Sequence, residues 1–265
     1  MSKLYIIPNF TCNLNCPHCE LHLRKDDFNE NSFYKVFSET NFSENVLFGG
    51  EPLLHKDRYL KLINSNKITS ISTNLLLLDE NIIKILKQKE ISIATSWNLQ
   101  RFTNKQYALW LNNLKLLEKY DMKCIVLITM TKDLIDLEIS NFLKYLWEWN
   151  NYNAIEGILF EHLIDYNIKN DLHIQADEWL CKIDKEWKFK FKNIIKDRVL
   201  NWNCDCDNIF TLYPNGELKK GCPQNEKEFV LKECLTCKLA GKCKPCKLQH
   251  VCSFPKKLYE RVINE

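Results

Sequence analysis

Three thiols crowd the stretch "TCNLNCPHC": Cys12, Cys16 and Cys19, spaced C-x3-C-x2-C near the start of the chain. Cysteine thiolate is a nucleophile and a soft ligand for zinc and iron–sulfur clusters, so the redox compartment decides which chemistry the residues imply. The opening MSKLYIIPNF has a short apolar run but no signal-peptide h-region or cleavage site. No apolar run approaches the ~20 residues that a membrane span requires. The chain therefore reads as cytoplasmic. In that reducing setting its 13 cysteines are read as ligands or catalysts rather than disulfides. Besides the first three, eight fall between Cys204 and Cys252, while Cys124 and Cys181 stand alone. The isolated pair are expected to be small buried apolar side chains.

The remaining composition excludes several classes. Of 265 residues, 45% are hydrophobic and 27% charged, as in an ordinary globular protein with enough length for a large core. A net charge of +3 is too small to imply a nucleic-acid or membrane partner.

The elements that must position the thiols follow from periodicity. β-prone runs recur at 4–7, 45–48, 68–73, 91–96, 124–130 and 155–160, and helical patterns separate them. One helix is "DENIIKILKQK", with Asp79 as its N-cap and Ile82, Ile83, Ile85 and Leu86 on its apolar face. Another is "NKQYALWLNNLKLLEKY", and a last one is expected from about Ala176 to Leu200. Strands alternating with helices imply βαβ units and a parallel sheet. Eight units would make a complete barrel of about 250 residues. Only about 200 residues precede the second cysteine cluster. The expected fold is therefore α/β: a partial (β/α)6 barrel with parallel strands over 1–200, then a small cysteine-rich, loop-rich domain over 201–265.

Cys12 then follows strand one, at the strand's C-terminal edge, where parallel α/β folds place their sites. Of six glycines in the chain, Gly49 and Gly50 are adjacent at the end of strand two, in "LFGGEPLLH". Paired glycines let a backbone approach a ligand closely. Ser72, Thr73 and Asn74 end strand three, and "TSWN" ends strand four. Each has an ordinary explanation as a turn or a cap; together, in matching loops, they describe one site.

Cys12-x3-Cys16-x2-Cys19 followed by Gly49-Gly50-Glu51-Pro52 resembles the radical S-adenosylmethionine (SAM) superfamily over residues 1 to about 200. The resemblance implies a [4Fe–4S] cluster with three irons on those thiolates and the fourth left to SAM. This answers why there are three thiols: a fourth would close the coordination position that the chemistry needs. It further implies that Gly49, Gly50 and Glu51 hold the methionine ammonium, that His18 lies near the adenine, and that Ser72, Thr73, Asn74 and Ser96 touch SAM. Arg101 is a candidate partner of the methionine carboxylate, with a solvated helix-cap charge as its alternative.

The C-terminal cysteines resemble the SPASM extension of radical SAM enzymes, which implies two auxiliary [4Fe–4S] clusters. The family's interleaved pattern implies Cys204, Cys206, Cys222 and Cys246 on one, with Cys234, Cys237, Cys243 and Cys252 on the other. Gly216 to Cys222 and Cys243 to Cys246 depart from the family spacing by one residue each. A zinc site built on Cys234, Cys237, Cys243 and Cys246 is the rival, but it would leave four thiols unexplained. Lysines 219, 220, 238, 242, 244 and 247 would offset cluster charge, attract an acidic peptide or simply form a solvated face.

The resemblance implies modification of a ribosomally made peptide, by thioether or carbon–carbon cross-linking or epimerisation. Oxidation of a small metabolite is the alternative, and a structural zinc or iron–sulfur interaction protein is the reading from another class. An electron donor such as flavodoxin or ferredoxin is an expected partner. Because the first cysteine lies so near Met1, a separate leader-binding protein is expected if the substrate is a peptide. An acid/base residue is sought at the end of strand six, where "FEHLID" offers Glu161, His162 and Asp165.

Overall fold

All six β-prone runs form strands in the computed structural model, which describes residues 2–19, 21, 24, 25, 27–162, 170–194, 208–220, 258, 261 and 264. They are β1 (Lys3–Ile6), β2 (Glu44–Leu47), β3 (Ser70–Thr73), β4 (Ser92–Trp97), β5 (Cys124–Met130) and β6 (Ile155–His162). Between them lie α1 (Glu30–Glu39), α2 (Lys56–Ile63), α3 (Glu80–Gln88), α4 (Asn104–Lys119), α5 (Lys132–Ile135) and α6 (Ile139–Trp149). After β6 come α7 (Asn170–Lys185), β7 (Lys192–Asn193), β8 (Ile209–Leu212) and β9 (Leu218–Lys220). The sheet order is β7-β6-β5-β4-β3-β2-β1-β8-β9, parallel throughout except for β8–β9. This is an α/β fold with the mostly parallel sheet of a partial barrel.

Local chemistry explains the helix starts. The Asp79 carboxylate accepts from the Ile82 N–H at the head of α3, as its sequence implies. α4 opens on a capping box, in which Thr103 and Gln106 satisfy each other's backbone N–H groups. At the other end of α1, the Lys67 ammonium donates to the carbonyls of Phe37, Ser38 and Thr40, placing a cation at the negative end of the helix dipole.

One face of the sheet carries the core. Leu4, Ile6, Ile71, Ile93, Val126, Ile128, Ile158 and Phe160 are all buried there, in one cluster with Phe33, Leu62, Ile83, Trp110, Phe142, Trp149 and Trp179 from six helices. The alternate residues of the same strands, among them Ser72, Ala94, Ser96, Leu127, Thr129, Leu159 and Glu161, are half-buried on the face away from the helices. That second face is the interior of the partial barrel.

Two segments differ from expectation. The helix expected through Leu200 ends at Lys185. The following Trp187, Phe189 and Phe191 alternate with charged residues in the two-residue period of a strand. They pack on one another and lead into β7. Downstream of residue 200, Ile209–Leu212 is not loop: it pairs in parallel with β1 and turns through Pro214-Asn215-Gly216 into β9. Gly216 is needed at the turn, since its φ is +87° and a Cβ would press on Ser32. Cys124 is buried as expected, whereas Cys181 is only half-buried. Among the described residues no helix is long and apolar enough to cross a membrane.

Candidate active site

The backbone beyond β1 continues beside the backbone beyond β2. Gly50 N–H donates to the Asn9 carbonyl at 3.1 Å and Glu51 N–H to the Thr11 carbonyl at 2.8 Å. The approach requires both glycines. Gly49 has φ of +137° and a Cβ on it would stand 2.7 Å from the Asn9 carbonyl oxygen, while a Cβ on Gly50 would collide with the Thr11 carbonyl. The close approach expected of this pair is therefore made, within the fold, to the loop that carries Cys12.

Glu51 is the anchor of this edge. Only 1% exposed, its carboxylate accepts from Leu53 N–H (3.1 Å), the Thr73 hydroxyl (2.7 Å) and Asn74 N–H (2.8 Å). Burial pushes its pKa up, against those hydrogen bonds and the Arg101 charge that pull it down. The Thr11 hydroxyl bridges Asn9 Oδ1 (3.1 Å) and His55 Nε2 (2.9 Å), and Asn9 Nδ2 donates to the Glu51 carbonyl (3.4 Å). Asn9, Thr11 and His55 were not singled out in the sequence; the polar pair just ahead of Cys12 was the available signal.

The three thiols lie on the loop so held. Cys16 is buried, and Cys12 and Cys19 are half-buried; all are free. Cys19 N–H closes a turn on the Cys16 carbonyl at 3.0 Å, and Cys19 packs against Ile7, Phe10, Leu21 and Tyr213. Tyr213 follows β8 directly, so the strand added beside β1 also supports the cysteine loop. Burial raises the pKa of Cys12 and of Cys16, while the Arg101 charge lowers both. Burial and then Arg101 lower His18 to about 4, so it is neutral at pH 7. Arg101 thus faces the cysteines and Glu51 from the turn after β4. Arg101 is half-buried, and among the described residues its Nε is buried without a hydrogen-bond partner.

Other expected residues divide between roles. Ser72 and Ser96 lie on the barrel interior, in register with Ala94 and Leu127. Thr73 and Asn74 are instead engaged in holding Glu51 and the Cys12 loop. Glu161 lies on the interior at the end of β6, in register with Thr129, and His162 is the register partner of Met130. Asp165 lies outside the described residues, as do Cys204, Cys206, Cys222, Cys234, Cys237, Cys243, Cys246 and Cys252.

Among the described residues, no three Cys, His, Asp or Glu side chains could hold a single metal ion. A cubane cluster makes a different demand, since each thiolate binds its own iron. Three free thiols on one anchored loop, without a fourth beside them among the described residues, fit that donor set.

No family model and no curated protein matches the chain. Among solved structures, native anSMEcpe with bound AdoMet (S-adenosylmethionine) is similar, with a TM-score of 0.69 and 19% identity over 99% of this chain and 98% of that one. At this identity the likeness is one of fold.

Proposed function

We propose that this chain is a radical SAM enzyme that holds a [4Fe–4S] cluster on Cys12, Cys16 and Cys19, binds S-adenosylmethionine beside it, and modifies a peptide. The observation that carries the reading is the juxtaposition of three free thiols, the Gly49–Glu51 loop and Arg101 at one strand edge. The AdoMet bound by the similar fold is consistent with it. When bound, the cluster supplies one electron that cleaves SAM to methionine and a 5′-deoxyadenosyl radical, which takes a substrate hydrogen atom.

The chain's own residues bind and orient. The N–H groups of Gly50 and Glu51 are committed to Asn9 and Thr11, so this loop offers carbonyl oxygen to a ligand ammonium. Arg101 supplies the complementary cation for a ligand carboxylate. Neutral His18 presents a flat ring for a purine. Ser72 and Ser96 contribute hydroxyls along the barrel interior. Glu161, His162 and Asp165 are the proposed acid/base candidates for the proton that leaves the substrate.

The peptide substrate is proposed from the likeness of the eight C-terminal cysteines to the SPASM segment, which would carry two auxiliary clusters from about residue 201 onward. A one-electron donor such as flavodoxin or ferredoxin, a separate leader-binding protein and a cytoplasmic location belong to the same proposal. Anaerobic reconstitution with iron and sulfide tests it. About twelve irons per chain and 5′-deoxyadenosine under a strong reductant are expected, and Cys12→Ala should abolish the cleavage. About four irons with zinc would keep the enzyme and remove the auxiliary clusters. No iron and no cleavage would overturn the reading.

A further inference from the structure

The three thiols do not share one environment. Among the described residues, Cys16 and Cys19 sulfur receive no hydrogen bond, whereas Cys12 Sγ faces two donors: Leu14 N–H at 3.4 Å and Asn74 Nδ2 at 3.8 Å. Asn74 is 1% exposed and 62 residues away in sequence. We infer that Asn74 is a positioning residue for Cys12, holding the loop that carries this thiol and directing an N–H group at its sulfur. The inference rests on the proposed reading of Cys12 as a cluster ligand.

The backbone N–H and both carboxamide atoms of Asn74 have defined tasks. Its backbone N–H donates to Glu51 Oε2 at 2.8 Å, tying it to the buried anchor. Its Oδ1 accepts from Leu76 N–H at 2.9 Å, which settles the orientation of the carboxamide. Nδ2 therefore points at the cysteine loop, donating to Asn13 Oδ1 at 2.7 Å and toward Cys12 Sγ. The following Leu75 is wholly buried with φ of +64°, and its carbonyl accepts from Asn113 Nδ2 at 2.7 Å, so the peptide behind the carboxamide is also held. The side chain thus joins the end of β3 to the first spacer residue of the cysteine motif.

An N–H group on a metal-bound thiolate stabilises its negative charge, reduces its donation to iron and raises the cluster's reduction potential. Asn74 is placed to do this for one ligand of three. A purely structural role, as the turn residue that accepts from Leu76, would leave the potential untouched.

Asn74→Asp separates the two roles. Aspartate keeps the shape and the acceptor for Leu76 but replaces the donor with a carboxylate facing Asn13 Oδ1 and the Cys12 sulfur. The variant should unfold at a lower temperature, because a buried carboxylate then faces the Asn13 oxygen. Its folded, reconstituted fraction should show a lower midpoint potential and altered electron paramagnetic resonance of the reduced cluster, and lose iron to a chelator about tenfold faster. Asn74→Ser retains a short acceptor but cannot reach Cys12, and answers the question if the aspartate variant does not fold. Wild-type potential, spectrum and chelation rate in a folded variant would overturn the inference. A wild-type chain that takes up no iron would instead sink the reading on which it rests.

Discussion

Beneath the helices the sheet is buried by Trp97, Trp110, Phe142, Trp149, Phe160 and Trp179; at its C-terminal edge the buried residues include the polar Asn9, Glu51, Thr73 and Asn74. The two regions are equally shielded from water and are held in different ways. The aromatic region is non-directional and redundant: Trp97 alone touches the rings of Phe142, Tyr145 and Trp149 within 6.1 Å. Losing one ring there forfeits area and contacts but leaves the others in place. The edge is directional, because each hydrogen bond has one geometry and a buried group that loses its partner keeps its desolvation cost. Stability resides in the first region and the placement of the thiols in the second.

Variants on each side test this division. Phe142→Ala should have the largest effect on folding, about 3–5 kcal/mol in denaturant titrations, while the folded fraction binds iron normally. A loss of iron per folded molecule would show that the core also sets the site. Gly50→Ala should do the reverse. Its Cβ forces the Thr11 carbonyl aside, for about 1–3 kcal/mol of stability, with iron content and SAM cleavage falling at least tenfold. Normal iron uptake would show that the two loops need not touch. Lys67→Met removes the cation from three carbonyls at the end of α1 and should cost about 1–2 kcal/mol without altering the site.

A pH experiment bears on the core alone. Burial pushes the Cys124 thiol up to about 12 from an ordinary 9.0. Below pH 9 the folded and unfolded chains both carry it protonated and nothing changes. Between 9 and 12 only the unfolded chain ionises, so this thiol should lower stability by about 1.4 kcal/mol per pH unit. Cys124→Val should flatten that part of the alkaline profile. An unchanged slope would show that Cys124 is not shielded in solution. The smallest effect is expected at Glu90, an exposed residue with φ of +54° just beyond α3. Glu90→Gly should raise stability by about 0.5–1 kcal/mol, read from the melting temperature, by removing a left-handed non-glycine residue.

Much of this was legible before the structure. Strands β1 to β6 show as β-branched and aromatic runs of the right length. The Asp79 cap and the apolar face of α3 are local patterns, and so is the spacing of Cys12, Cys16 and Cys19. Trp187, Phe189 and Phe191 fall inside the helical pattern expected from about Ala176 to Leu200, although their own alternation with charged residues is that of a strand. β8 is not legible locally because its partner, β1, lies more than 200 residues away, and nothing local records a pairing at that distance. The Pro214-Asn215-Gly216 turn was its one nearby mark.

Local sequence is enough to set the three clustered thiols and the strand edge on which they stand. Ligand type, spacing and strand periodicity are properties of neighbouring residues, and parallel α/β topology sends the ends of the strands to one side. Contacts between distant segments sort the polar residues into those on the barrel interior and those that hold the loops. Ser72 and Asn74 are two residues apart, yet one lies on the barrel interior and the other reaches Cys12. Arg101 also reads as a surface charge until the turn after β4 half-buries it within electrostatic range of Cys12, Cys16 and Glu51. These outcomes depend on contacts between distant segments, whose geometry is set only when the sheet is assembled and each buried polar group has found its partner.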